Sequence, residues 1–270
     1  MIGILFSKEN PTSEAAAMRM LESQDFSEQG TGKWAWKRGD VALQEIPRNC
    51  VYAEDADSLG FETIYFLSSH GSGKGVPAFT THAEGNWNGE AKLGGKPREL
   101  AIAAPLAMLS LLRLMQATGL EGVEKTYEAT HHGPLIKTPS LFVESGGSED
   151  DKRNRQRSDM LADLVLKSIS EQKERAVEHS KVVIGIGGMH YPVKFNRLAL
   201  EKGYAFAHIM PKHALYNADG SSNLGMLSQA IERSKPKPEL AVVEWKSINS
   251  EARNNVIAKL NELGMEHERV

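Results

Sequence analysis

Apolar residues fall along this chain in two alternating rhythms. Short apolar runs rich in β-branched residues read as strands at 1–7, 41–46, 62–67, 78–81, 125–130, 140–144, 181–186, 204–209 and 240–245. Between them, spacings of three and four mark helices with one buried face. The clearest such series is Leu100, Ala103, Ala104, Ala107, Leu111 and Leu114, which Pro105 is expected to kink or divide. A second covers 157–176, with Met160, Leu161, Leu164 and Ile169 inward, and a third covers 250–263, capped by Asn249 or Ser250. Asn10 and Pro11 form a helix start, because the amide side chain accepts from first-turn N–H groups and proline there gives up no needed donor.

Strands and helices alternate throughout, most regularly after residue 125, which predicts an α/β fold with a mostly parallel or mixed sheet and crossover helices. Two stretches break the rhythm. Residues 24–39 hold few aliphatics, and Trp34-Ala35-Trp36-Lys37 reads as a strand or an exposed aromatic site. Residues 68–95 carry glycine at 71, 73, 75, 85, 89, 94 and 95; so long a glycine-rich loop in a compact domain is usually functional or disordered. We therefore read 1–270 as a single α/β domain with a functional loop region at about 68–95.

Composition narrows this picture. With 270 residues and 40% hydrophobic content the chain can bury a large core. The apolar run 100–112 is shorter than the roughly 20 residues that span a bilayer, so no membrane association is expected. The first residues lack the pattern of a secretory signal, and the expected location is cytoplasmic. Cys50 is the only cysteine, which excludes an internal disulfide framework and Cys-rich zinc modules; it reads as a small buried residue. The balance of 32 Lys plus Arg against 35 Asp plus Glu, a formal charge of -3, gives no global attraction to nucleic acid, and DNA binding is not expected. Any RNA contact must be local. The best patch is Lys152-Arg153-Asn154-Arg155-Gln156-Arg157, weakened by Asp150 and Asp151; a solvated helix entrance is its plainer reading.

Histidines add chemistry. Five of the nine sit in small-residue segments after strand-like runs: Ser69-His70-Gly71, Thr80-Thr81-His82, Thr130-His131-His132-Gly133-Pro134 and Gly187-Gly188-Met189-His190. Loops at the carboxyl ends of strands are where α/β sheets gather ligands, and imidazole relays protons near neutral pH or binds metals. Two glycine segments tempt a nucleotide-binding reading and fail at necessary positions. Residues 68–75 have Ser68 for the opening glycine of a P-loop and Gly75 for its Ser/Thr, and in 185–190 His190 replaces the third glycine of a dinucleotide fingerprint. Their amides remain able to cradle an anion. Adjacent His131 and His132 would point to opposite sides of an extended segment unless the chain turns between them. Glu144 begins Glu144-Ser145-Gly146-Gly147-Ser148-Glu149, read either as a helix entrance with a capping box or as a carboxylate that orients a histidine, binds a metal or recognises an amine. There is no His-Glu-x-x-His helix.

At these residues the chain closely resembles the archaeal and plant type of D-aminoacyl-tRNA deacylase. The matching segments include Phe66-Leu67-Ser68-Ser69-His70, Pro77-Ala78-Phe79-Thr80-Thr81-His82, Glu128-Ala129-Thr130-His131-His132-Gly133-Pro134, Pro139-Ser140-Leu141-Phe142-Val143-Glu144, Gly185-Ile186-Gly187-Gly188-Met189-His190-Tyr191 and His208-Ile209-Met210-Pro211-Lys212-His213. Met189 departs from the family pattern, where glycine is common. The resemblance implies a phosphorylase/hydrolase-like fold, zinc dependence, and hydrolysis of the ester between a D-amino acid or glycine and the 3' terminal ribose of tRNA. It makes His70, His82, His131, His132, His190 and Glu144 catalytic candidates, with His132, His190 and Glu144 as metal ligands. Ser69, Gly71, Lys74, Gly188, Arg153, Arg155 and Arg157 become candidates for binding substrate, with the amides near Gly71 and Gly188 as oxyanion donors. D-aminoacyl-tRNA is the expected partner of a monomer or small homo-oligomer. A metal-dependent peptidase or nucleoside-processing hydrolase on the same fold, and a non-catalytic tRNA-binding protein, are the alternatives.

Overall fold

The computed structural model describes residues 1–23, 25–30, 35–73, 75–173 and 179–270. The chain opens with β1 (Ile2–Phe6), α1 (Pro11–Ser23), β2 (Ser27–Glu28), β3 (Trp36–Arg38), β4 (Val41–Glu45), β5 (Thr63–Gly71) and β6 (Ala78–His82). After the short pair β7 (Gly85–Asn86) and β8 (Glu99–Leu100) come α2 (Pro105–Ala117), β9 (Glu124–Tyr127), β10 (Ser140–Gly147), α3 (Glu149–Lys152) and α4 (Arg155–Lys173). The remainder is β11 (Val182–Ile186), α5 (Val193–Lys202), β12 (Ala205–Met210), α6 (Met226–Glu232), β13 (Leu240–Val243), α7 (Ser250–Glu262) and β14 (His267–Arg269).

These strands form a mixed eight-stranded sheet, β2-β3-β4-β1-β5-β10-β6-β9, and a parallel four-stranded sheet, β12-β11-β13-β14. The α/β class read from the alternation of elements is the class observed. Helix α2 packs on β6 and β9 of the larger sheet and on β12 of the smaller. Its residues are accordingly buried almost all round, and one apolar cluster runs from Ile4 and Tyr65 through Leu111 to Val183 and Phe206. A helix enclosed on several sides needs apolar residues on all of them, which is why residues 100–112 read as one apolar run.

Two expectations change. Pro105 neither kinks nor divides a helix: it is the first residue of α2, where its missing N–H costs nothing, and Leu100 belongs to β8 instead. Part of 68–95 is strand beyond the run expected at 78–81, which is β6: β5 continues to Gly71 and the short β7 follows. Glycine supports one of these pairings directly, because a Cβ on Gly146 would stand 2.2 Å from the His70 carbonyl oxygen across the ladder. The long helix starts at Arg155, and its expected end at 176 lies outside the described residues, as does Trp34.

Candidate active site

Sheet register assembles the centre of the site. In β10, Glu144 pairs with Ser68 of β5 on one side and Thr80 of β6 on the other; Phe142 pairs with His82, and Gly146 with His70. Alternate residues of a strand share a face, so Glu144, Phe142, His82 and His70 project from the same side. Glu128 directly follows β9, held by its N–H to the Thr81 carbonyl. The loop after β11 brings the other sheet in, with the His190 carbonyl accepting from the Ala129 N–H at 2.8 Å. The site therefore lies where strand ends of the two sheets meet.

The chain does turn between the adjacent histidines. His132 has φ 45°, a left-handed conformation uncommon outside glycine, and this brings both rings to one side. Their centroids are 4.3 Å apart and stand 4.1 Å (His131) and 4.8 Å (His132) from His82; His190 is 4.8 Å from His131. Glu128 binds His190 Nε2 through Oε2 at 2.7 Å and lies 3.1 Å from His70 Nδ1 through Oε1. Glu144 is 3.5 Å from His70 Nδ1 and 3.8 Å from His82 Nε2. The Tyr191 hydroxyl reaches His70 Nε2 at 3.2 Å.

This packing sets the charges. Burial disfavours an ionised carboxyl at Glu144, but the neighbouring imidazoles of His70 and His82 outweigh it and bring the group down to about 2; His190 and His70 hold Glu128 well below the usual range in the same way. Burial likewise opposes a charged His70, and the two carboxylates reverse it, raising the imidazole to about 10. His131 and His132 go the other way: burial and the neighbouring His82 push His131 well below its ordinary value and His132 down to about 4. Both are neutral at pH 7. Their tautomers follow from their partners, because a carbonyl only accepts. Nδ1 of His131 donates to Ala129 and Nδ1 of His132 to Gly133, which turns each Nε2 lone pair outward; Nδ1 of His82 donates to Ala83 while its Nε2 faces the Glu144 carboxylate, which raises this imidazole above its ordinary value.

Among the described residues, three groups of side chains offer ligand atoms within 4.8 Å of one another: His82, His131 and His132; Glu128, His131 and His190; and His70, Glu128 and Glu144. Such groups could hold a metal ion. The members of the ligand set expected from sequence, His132 with His190 and Glu144, fall one in each group. The six catalytic candidates do converge, whereas the expected substrate contacts divide. Ser69, Gly71 and Arg153 line the cleft, and the Ser69 hydroxyl donates to Asn10 Oδ1 at 2.7 Å. Arg155 is bound instead to Asp159 and Glu22, and Arg157 to Asp151. The Gly188 amide is not free for an oxyanion, since it donates to Ser247 Oγ at 2.8 Å. Lys74 lies outside the described residues. Cys50 is buried, and burial with the Glu144 carboxylate pushes its thiol up to about 12, which removes it from chemistry at neutral pH.

Glu128 is the principal residue that sequence reasoning left without a role. Its position at the end of a strand, three residues before His131, is the signal that a carboxylate could share the histidines' loop. Glu84 lies behind the site, accepting from the Ser140 hydroxyl at 3.1 Å, and burial pushes its carboxyl up to about 8.

A family model described as D-aminoacyl-tRNA deacylase matches residues 58–268. The chain is 42% identical to the D-aminoacyl-tRNA deacylase of Ignicoccus hospitalis over 84% of its own length and 88% of the relative's. It is 35% identical to that of Pyrococcus horikoshii over 97% of both chains. Its fold is similar to the crystal structure of a conserved protein of unknown function, with a TM-score of 0.87, 28% identity, and coverage of 100% of this chain and 95% of the other.

Proposed function

This chain belongs to the D-aminoacyl-tRNA deacylase family and is a hydrolase of the ester that joins a D-amino acid to the terminal ribose of tRNA; we propose that the histidine and carboxylate cleft performs this hydrolysis. The observation that carries the proposal is the Glu128–His190 pair, joined at 2.7 Å beside a side chain that remains 37% exposed. Because Nε2 of His190 is engaged by Glu128, its Nδ1 is the atom that accepts a proton from attacking water and returns it to the departing 3' oxygen. Glu128 fixes the ring and stabilises its cationic form, while the Tyr191 hydroxyl, accepting from Nε2 of the charged His70, keeps its own O–H to donate toward the charge that develops on the ester oxygen.

The same cleft suits zinc. His82, His131 and His132 present nitrogens within 4.8 Å, each ring is oriented by a backbone carbonyl, and among the described residues His82 Nε2 has no hydrogen-bond partner. These three residues would hold the ion, whose chemistry when bound is to acidify a water and polarise a carbonyl. Charged tRNA is then the partner, rather than DNA or a membrane; among the described residues no helix is long and apolar enough to cross one. The cytoplasm is the compartment of action.

Hydrolysis of matched D- and L-aminoacyl-tRNAs tests the reading. His190→Ala and Glu128→Gln are expected to lower kcat on the D-substrate by roughly 10²–10⁴. Near-normal rates in both variants, or equal rates on the two stereoisomers, would sink it. Treatment with a chelator is expected to abolish activity and zinc to restore it; full activity in the metal-stripped enzyme would remove the ion from the mechanism.

A further inference from the structure

Two cavities open onto the histidine cluster, and Leu93 lines both of them together with His131, His132 and His190. The first, of about 290 Å³, is walled by Trp87, Ala129, Pro211 and Ala214; its one lysine, Lys92, is paired with Glu90 at 2.8 Å. The second, of about 680 Å³, is polar: Asn10, Ser69 and Arg153 stand on its walls with Glu9, Lys152 is paired there with Glu149 at 2.5 Å, and Glu128 and Glu144 are taken up by the histidines. A substrate that is apolar at one end and anionic at the other can enter such a cleft in only one favourable direction.

Leu93 stands on a backbone that cannot readily yield. Its carbonyl accepts from the Gly133 N–H at 2.8 Å, the Gly94 carbonyl accepts from Asn86 Nδ2 at 3.0 Å, and the Gly95 N–H donates to Glu54 Oε1 at 2.9 Å. Three glycines close this knot without room for a side chain: a Cβ on Gly94 would lie 1.7 Å from the Val51 oxygen, and one on Gly133 2.2 Å from the Gly95 nitrogen. Above the anchored backbone the Leu93 side chain is 53% exposed.

We propose that Leu93 is a fixed divider that sorts the two ends of the substrate and limits the size of the amino-acid side chain; this rests on the deacylase reading above. The terminal nucleotide and its phosphate occupy the larger cavity, where Arg153 meets the anion beside Lys152, which is shared with Glu149. The amino-acid side chain enters the smaller one, whose volume is near the lower limit of ligand pockets. The ester carbon then falls between them, against His131 and His190. Leu93 acts on specificity by shape and takes no part in proton transfer.

The test compares D-alanyl and D-tyrosyl esters on one tRNA sequence, using wild type, Leu93→Ala, Leu93→Trp and Arg153→Gln. Leu93→Ala is expected to raise the D-tyrosyl to D-alanyl ratio of kcat/KM by about tenfold, and Leu93→Trp to lower it, at the lower end of what such a change in an apolar pocket produces. Arg153→Gln is expected to raise KM for both substrates by the same factor. Ratios within about twofold of wild type for both Leu93 variants would overturn the divider, since a tenfold change is the smallest expected. A ratio that moves instead with Arg153→Gln would reverse the assignment of the cavities and overturn it as well. Should wild type hydrolyse neither ester, the deacylase reading fails, and the divider with it.

Discussion

At His132 a backbone conformation that disfavours side chains coexists with a side chain that the cleft uses. Its φ of 45° costs a residue with a Cβ about 1–2 kcal/mol, and glycine avoids most of that cost. His132→Ala and His132→Gly both delete the ring, so their difference isolates the backbone. The glycine variant is expected to be more stable than the alanine variant by about 1 kcal/mol in urea unfolding, with the same dependence on urea. Equal midpoints would show that the left-handed turn stores no strain. This residue also marks a limit of reading from sequence. His131 and His132 were legible as candidates because adjacent histidines before Gly-Pro have no simple packing explanation, but which way each ring points depends on a dihedral angle that residue identity does not reveal.

Among the elements, α3 shows how a short helix can serve the cleft. It has only four residues, too few to be stable alone, and is held by a capping box in which Ser148 Oγ accepts from the Asp151 N–H while the Asp151 carboxylate accepts from the Ser148 N–H. Ser148→Ala is expected to cost about 1 kcal/mol and to fray the turn that presents Lys152 and Arg153. KM for aminoacyl-tRNA should then rise several-fold with little change in kcat, as steady-state kinetics would detect; an unchanged KM would separate the cap from substrate binding. Most elements were legible for the reason this cap was: their signals are local. Asn10 does cap α1, accepting from the Ser13 N–H at 3.0 Å, and Asn249 caps α7 through the Ala252 N–H at 2.8 Å. The end of β5 was hidden because its glycine and histidine are strand residues only by virtue of partners in β10, more than seventy positions away.

For the whole molecule, the formal charge of -3 and the pairing of Arg155, Arg157 and Lys152 with acidic neighbours leave the attraction for RNA concentrated near Arg153. Log kcat/KM for aminoacyl-tRNA is therefore expected to fall with log salt at a shallow slope of about -1 to -2, the signature of one or two phosphate contacts. A much steeper slope, measured across a salt series, would reveal a wider electrostatic footprint on the tRNA body. The meeting of the sheets was the least legible feature at this scale, since nothing local in the sequence brings Glu128 to His190. That carboxylate has a further consequence. Its two oxygens serve histidines delivered by different sheets, His70 through one and His190 through the other. Substitutions at these positions cannot have independent effects, because each changes the charge and alignment that the others experience. To a lineage under mutation, the cluster is a single heritable unit: it can drift only in concert, and its history would be written in compensating changes rather than in single ones.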